Sequence, residues 1–99
     1  MTPEPPVSAF VMVGNDTALS QVQWARYHGL VVEELTRAGG RIMADWYSQP
    51  TAQWQGICFW VELAPGIVER LQQTLTEVAR SFGQPAVGWS SITDTAYLR

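Results

Sequence analysis

Ninety-nine residues, 46% of them hydrophobic and carrying a formal charge of −3, are enough for one domain around one core. The acidic balance argues against a binder of nucleic-acid phosphates, and six arginines with no lysine exclude a Schiff-base or P-loop lysine. A charged fraction of 15%, below the roughly 25% of average proteins, together with five tryptophans, excludes disorder and points to a surface partly covered by a partner.

Residues 1–7 hold three prolines, which resist both helix and ladder pairing, so they read as a loose tail ahead of a single domain over 8–99. The start lacks the basic and apolar blocks of a signal peptide, and no stretch approaches 18 uninterrupted apolar residues. A cytoplasmic location with no membrane contact is the expectation.

Ala9-Phe10-Val11-Met12-Val13 predicts a first strand that stops at the turn-forming Gly14-Asn15-Asp16. From Thr17 to Ala38, apolar side chains recur at Trp24, Tyr27, Val31, Leu35 and Ala38, the spacing of a helix stripe, and Gly39-Gly40 supplies the stop. Arg41–Ser48 and Gln53–Leu63 flank Gln49-Pro50-Thr51-Ala52 and read as a hairpin. With Pro50 and Thr51 at its tip, Ile42 faces Phe59, Ala44 faces Ile57 and Trp46 faces Gln55 on the core side. The other side then pairs Arg41 with Trp60, Met43 with Cys58, Asp45 with Gly56 and Tyr47 with Trp54. A second helix runs to about Phe82 with Ile67, Val68, Leu71, Leu75, Val78 and Phe82 on one stripe, and Ala86–Leu98 forms a last strand with an irregularity near Ser90-Ser91.

Strand, helix, strand, strand, helix, strand is the order of an α+β, ferredoxin-like βαββαβ sandwich: a four-stranded antiparallel sheet with two helices on one face. The segment Trp54–Leu63 is apolar on both of its alternating faces, with Glu62 the only charge, so the helix-free side needs a cover of its own. A homodimer stacking two such faces supplies it, and a small apolar or aromatic molecule held between the sheets is the expected ligand.

The ligand-lining candidates are Arg41, Met43, Asp45, Tyr47, Trp54, Gly56, Cys58 and Trp60. Asp45, opposite a glycine and between two rings, is the candidate for acid–base work, since a closing dimer would desolvate it. Arg41, Glu62 and Trp60 form an expected ion pair with cation–π stacking, or Arg41 takes a ligand carboxylate. His28 and Cys58 are the only histidine and cysteine, which gives neither a disulfide nor a metal set, and no cofactor is expected. Ser90 and Ser91 lack the elbow pattern of an activated serine, so a triad with His28 and Asp94 is not supported. Glu33 and Glu34 sit on the polar side of the first helix.

Three short fragments resemble known families. Trp54-Gln55-Gly56-Ile57-Cys58-Phe59-Trp60 is similar to the acylphosphatase phosphate loop, with Trp60 where that family has arginine. Phe10–Asn15 with Gly56–Val61 resembles the two strand motifs of RNA-recognition domains, without their basic residue at Gln55. Val13-Gly14-Asn15-Asp16 is similar to the ligand loop of ACT amino-acid-sensing domains, which share this topology, without the Pro-Gly that follows there. Three functional readings stay open: a homodimeric ligand-binding or regulatory module; an enzyme of the dimeric α/β-barrel type, monooxygenase-like or isomerase-like; and a module that docks its aromatic face on another protein.

Overall fold

Strict alternation in two strands decides the architecture. In β1 (Val7–Gly14) and β3 (Gly56–Leu63) of the computed structural model, Ala9, Val11 and Val13 are buried beside Ile57, Phe59, Val61 and Leu63. The residues between them point to the other side of the sheet. The chain adds α1 (Gln21–Arg37), β2 (Arg41–Tyr47), a single 3-10 turn at Pro65–Ile67, α2 (Val68–Ser81) and β4 (Gly88–Ile92). Residues 4–49 and 54–92 are described. The expected hairpin tip at Pro50-Thr51, and Asp94 with the rest of the expected strand end, lie outside them.

All pairings are antiparallel and the strand order is β2-β3-β1-β4, so the fold is the α+β, ferredoxin-like sandwich. The helices cover one side. Trp24, Tyr27, Val31 and Leu35 of α1 and Leu71, Leu75 and Ala79 of α2 recur every three or four residues and close the core over the sheet. Burying each of the larger side chains contributes roughly 1.5–3 kcal/mol.

Both helices end on the same device. Gly39 (φ +80°) follows α1, the N–H of Gly40 donates to the Leu35 carbonyl at 2.9 Å and that of Gly39 to Thr36 at 3.0 Å, a Schellman cap. Gly83 (φ +68°) does the same after α2, with the N–H of Gln84 on Ala79 at 2.9 Å. Helix α1 begins at Gln21, later than the Thr17 start that periodicity suggests. Ser20 and Gln23 form a capping box there, and Asn15 fixes the preceding turn by accepting from the Leu19 N–H at 2.7 Å.

The hairpin register differs from the two-residue-tip expectation. Arg41 opposes Glu62 and Ile42 opposes Val61, a bulge then takes up one residue at Met43, and Ala44, Asp45, Trp46 and Tyr47 oppose Trp60, Phe59, Cys58 and Ile57. The N–H of Ser48 donates to the Gly56 carbonyl at 2.9 Å, so the pairing of β2 with β3 is carried on to Ser48 and Gly56. The irregularity expected at Ser90-Ser91 is absent: β4 pairs with β1 without interruption from Gly88 to Ile92.

Candidate functional site

The helix-free face is assembled from side chains that three strands bring to one height. Phe10 and Met12 come from β1, Cys58 and Trp60 from β3, and Ala44 and Trp46 from β2. Ser90 and Ile92 of β4 flank Phe10 and Ser8 on the same side. Its charged pair is Arg41 opposite Glu62 at one end. The two ion pairs among the described residues both belong to Arg37, with Glu33 and Glu34, so Arg41 and Glu62 are neighbours without bonding. Trp60 opposes Ala44 and not Arg41, so the expected cation–π stack does not form across that pair.

Trp46 carries the clearest revision. The bulge turns it out of the expected core side and onto the open face, where it is 51% exposed and meets Phe10 edge to face. Phe10, Met12, Trp46, Cys58 and Ser90 line a shallow apolar depression of about 380 Å³. A second one of similar volume adjoins it through Met12, Trp46 and Cys58 and extends to Tyr47, Trp54 and Gly56. Together they form one aromatic groove running off the end of β2 and β3.

Of the sequence-derived candidates, Trp54, Gly56 and Cys58 lie along this groove and Tyr47 only borders its end, its ring turned to the helix side against His28, whereas Arg41, Met43, Asp45 and Trp60 do not line it. Asp45 shares a face with buried Phe59 and Tyr47 with Ile57, both on the helix side of the sheet. This corrects the expectation of Asp45 opposite Gly56 on the open face: one bulged residue inverts the side to which every later residue of β2 points. Asp45 is exposed and accepts from the Tyr47 hydroxyl at 3.2 Å. The Tyr47 ring meets His28 of α1 at 6.3 Å, edge to face. Ser90 and Ser91 oppose Phe10 and Ala9, on opposite faces, so they do not converge on one site.

The polar groups here are held in their neutral forms. Burial pushes the Cys58 thiol up. Partial burial and then the Asp45 carboxylate raise the Tyr47 hydroxyl. The indole N–H of Trp60 is out of contact with solvent and has no acceptor among the described residues. Within those residues no three His, Cys, Asp or Glu side chains gather as a metal site.

Sequence reasoning missed a second polar feature. Asn15 and Gln84 are buried amides that tie the β1–α1 loop to the end of α2: the Asp16 N–H donates to Gln84 Oε1 at 2.8 Å, and Gln84 Nε2 donates to Thr17 Oγ1 at 2.8 Å. Asn15 Nδ2 donates to Gln55 Oε1 at 3.3 Å, which links the loop to the start of β3. The segment that resembles an ACT ligand loop is thus braced from within, with Ala18 in the left-handed region at φ 55°. The sequence signal was Asn15 after a strand, read only as a turn former.

No protein-family model and no curated protein matches the chain. Solved structures match in fold. One is a candidate glycine cleavage system transcriptional repressor, at a TM-score of 0.66 and 10% identity over 95% of this chain and 50% of that one. Another is the C-terminal domain of the MgtC protein from Mycobacterium tuberculosis, at 0.60 and 14%, covering 92% and 93%. A third is a hypothetical Arabidopsis thaliana protein, at 0.62 and 12%, covering 98% and 95%. The chain spans half the length of the first of these. At such identities the likeness is one of fold. No helix among the described residues is long and apolar enough to cross a membrane.

Proposed function

We propose that this protein is a small regulatory or ligand-binding module that works as a homodimer, with two helix-free sheet faces stacked and a small apolar or aromatic molecule held in the groove between them. The observation that carries the reading is the set Phe10, Met12, Trp46, Cys58 and Trp60 on one uncovered face. Leaving such side chains in water forgoes on the order of 2 kcal/mol for each, and apolar patches of this extent mark binding surfaces.

A second copy of the chain is the occupant that the charge pattern of the face favours. Four strands about 4.8 Å apart, each five to eight residues long, give a flat face of roughly 20 by 20 Å. Stacked on its own copy, such a face covers roughly 800 Å² in total, short of the about 1,200 Å² of a standard interface and fit for a weak association. Arg41 and Glu62, side by side at one end, are of opposite sign and suit a two-fold arrangement in which each meets its counterpart's complement. The two structural neighbours described as a transcriptional repressor and as an MgtC domain support the regulatory part of the reading as analogies of fold.

The enzyme alternative loses its proton carrier, because Asp45 points to the helix side and away from the groove. Sedimentation velocity over a range of concentrations tests the proposal. A monomer–dimer equilibrium in the micromolar range is expected, and a strict monomer at hundreds of micromolar overturns it.

A further inference from the structure

We propose that the depression between Phe10 and Trp46 binds a flat, uncharged aromatic molecule with one hydroxyl or comparable neutral polar group, that Ser90 meets this group, and that Gly88 keeps the space open by making room for Met12. This names the ligand class of the groove in the reading above and rests on that reading. The register places every wall on one side of the sheet. Phe10 and Met12 alternate along β1, Cys58 opposes Met12, Trp46 in turn opposes Cys58, and Ser90 opposes Phe10. These five residues line about 380 Å³, room for a small aromatic molecule. Phe10 and Trp46 stand edge to face, so a further ring can meet either of them at the angles that aromatic pairs prefer. The sulfur atoms of Met12 and Cys58 add contacts that suit ring edges.

Charge is what the depression lacks. None of its lining side chains is ionised, and Cys58 keeps its proton because burial raises its thiol. A carboxylate or ammonium entering it would shed water and meet no opposite charge. Among the lining residues Ser90 alone carries a hydroxyl, which both donates and accepts, and it is exposed. A phenol can use that group and a hydrocarbon cannot. Gly88 accounts for the open floor. It opposes Met12 from the outer strand β4, and a β-carbon added there would lie 3.0 Å from Met12 Cε and 3.1 Å from Met12 Cβ. The Met12 side chain therefore rests across Gly88. The Gly88 backbone is not left-handed, so alanine fits it, but the added methyl group drives the flexible end of Met12 off β4 and toward Cys58.

Ligand-observed NMR titrations with 2-naphthol, naphthalene and 2-naphthoate at pH 7 test the assignment. 2-Naphthol should bind about fivefold tighter than naphthalene, the effect of one net hydrogen bond. It should bind about tenfold or more tighter than 2-naphthoate, which enters as an anion. Ser90→Ala should remove the advantage over naphthalene and leave the affinity for naphthalene itself unchanged. Gly88→Ala should weaken 2-naphthol severalfold and have no effect in the Met12→Ala background, with circular dichroism confirming the fold of each variant. Equal affinities for the three probes, an advantage that survives Ser90→Ala, or a Gly88→Ala effect that persists in the Met12→Ala background overturns this proposal and leaves the broader ligand reading standing. No binding of any probe overturns both.

Discussion

Phe10 and Trp46 meet edge to face across an intervening strand, their ring centroids 6.1 Å apart and their planes at 66°. Phe10 of β1 sits opposite Trp60 and Trp46 of β2 opposite Cys58, so the contact runs diagonally across β3, past the small Cys58. The pair spans the middle of the open face and defines where a second molecule would rest.

Trp46→Glu places a charge at that centre. Because the side chain is half exposed, the melting temperature of the monomer should shift by no more than a few degrees. The dimer should weaken by about a hundredfold or more, since a buried unpaired carboxylate costs several kcal/mol. Sedimentation equilibrium reads this directly, and an unchanged association constant would show that the contact surface lies elsewhere.

Alkylation of Cys58 offers an independent measure. Burial holds its thiol above the ordinary range, so iodoacetamide should react more slowly than with a free cysteine at pH 8. The rate should fall further as protein concentration rises and the face closes. A rate independent of concentration argues against closure over β3.

Gly39 and Gly40 separate two kinds of glycine requirement. Gly39→Ala meets open space but sits at φ +80°, and should cost about 1 kcal/mol. Gly40→Ala is worse, by roughly 2 kcal/mol or more, because its methyl group would lie 2.7 Å from the Leu35 carbonyl oxygen and 2.8 Å from Leu63 Cδ2. Urea denaturation ranks the two, and a reversed order would show that the α1–β2 turn relaxes.

Tyr27 links stability to alkaline pH. Burial, with the Asp16 carboxylate adding to it, pushes its hydroxyl up to about 12 from 10.0. The neutral form is therefore favoured by folding: the contribution is complete below pH 10 and is lost as pH rises toward 12, a decline of about 2–3 kcal/mol. Its hydroxyl has no partner among the described residues. Tyr27→Phe should thus remove this alkaline slope and leave stability at pH 7 equal or higher by about 1 kcal/mol. A marked loss at neutral pH would reveal a bonded hydroxyl.

The element order was legible because each signal is local. Trp24, Tyr27, Val31 and Leu35 share one helix face whatever the rest of the chain does, and all four are buried. The two-sided apolar character of β3 likewise pointed to an open face needing cover, and Cys58 and Trp60 lie on it. The register was not legible. A bulge at Met43 leaves no mark in the hydrophobic pattern, since both Ala44 and Asp45 suit an edge strand, and the last pair before the connection is Ser48 with Gly56. That single inserted residue moved Asp45 and Tyr47 away from the open face and delivered Trp46 to it. Gln84 was invisible for another reason: its partners Asp16 and Thr17 are distant in sequence, and a lone glutamine after a helix carries no pattern.

The bulge also shapes how sticky this molecule can become. Strand β2 forms one outer border of the sheet, where unpaired amides could template another chain, but its rhythm breaks at Met43 and it carries the charges of Arg41 and Asp45. Along that border, continuous ribbon growth is disfavoured. In the proposed dimer the broad flat side is satisfied once two copies have met, so an oily surface of this kind would end in a finite pair and not in an open-ended fibre.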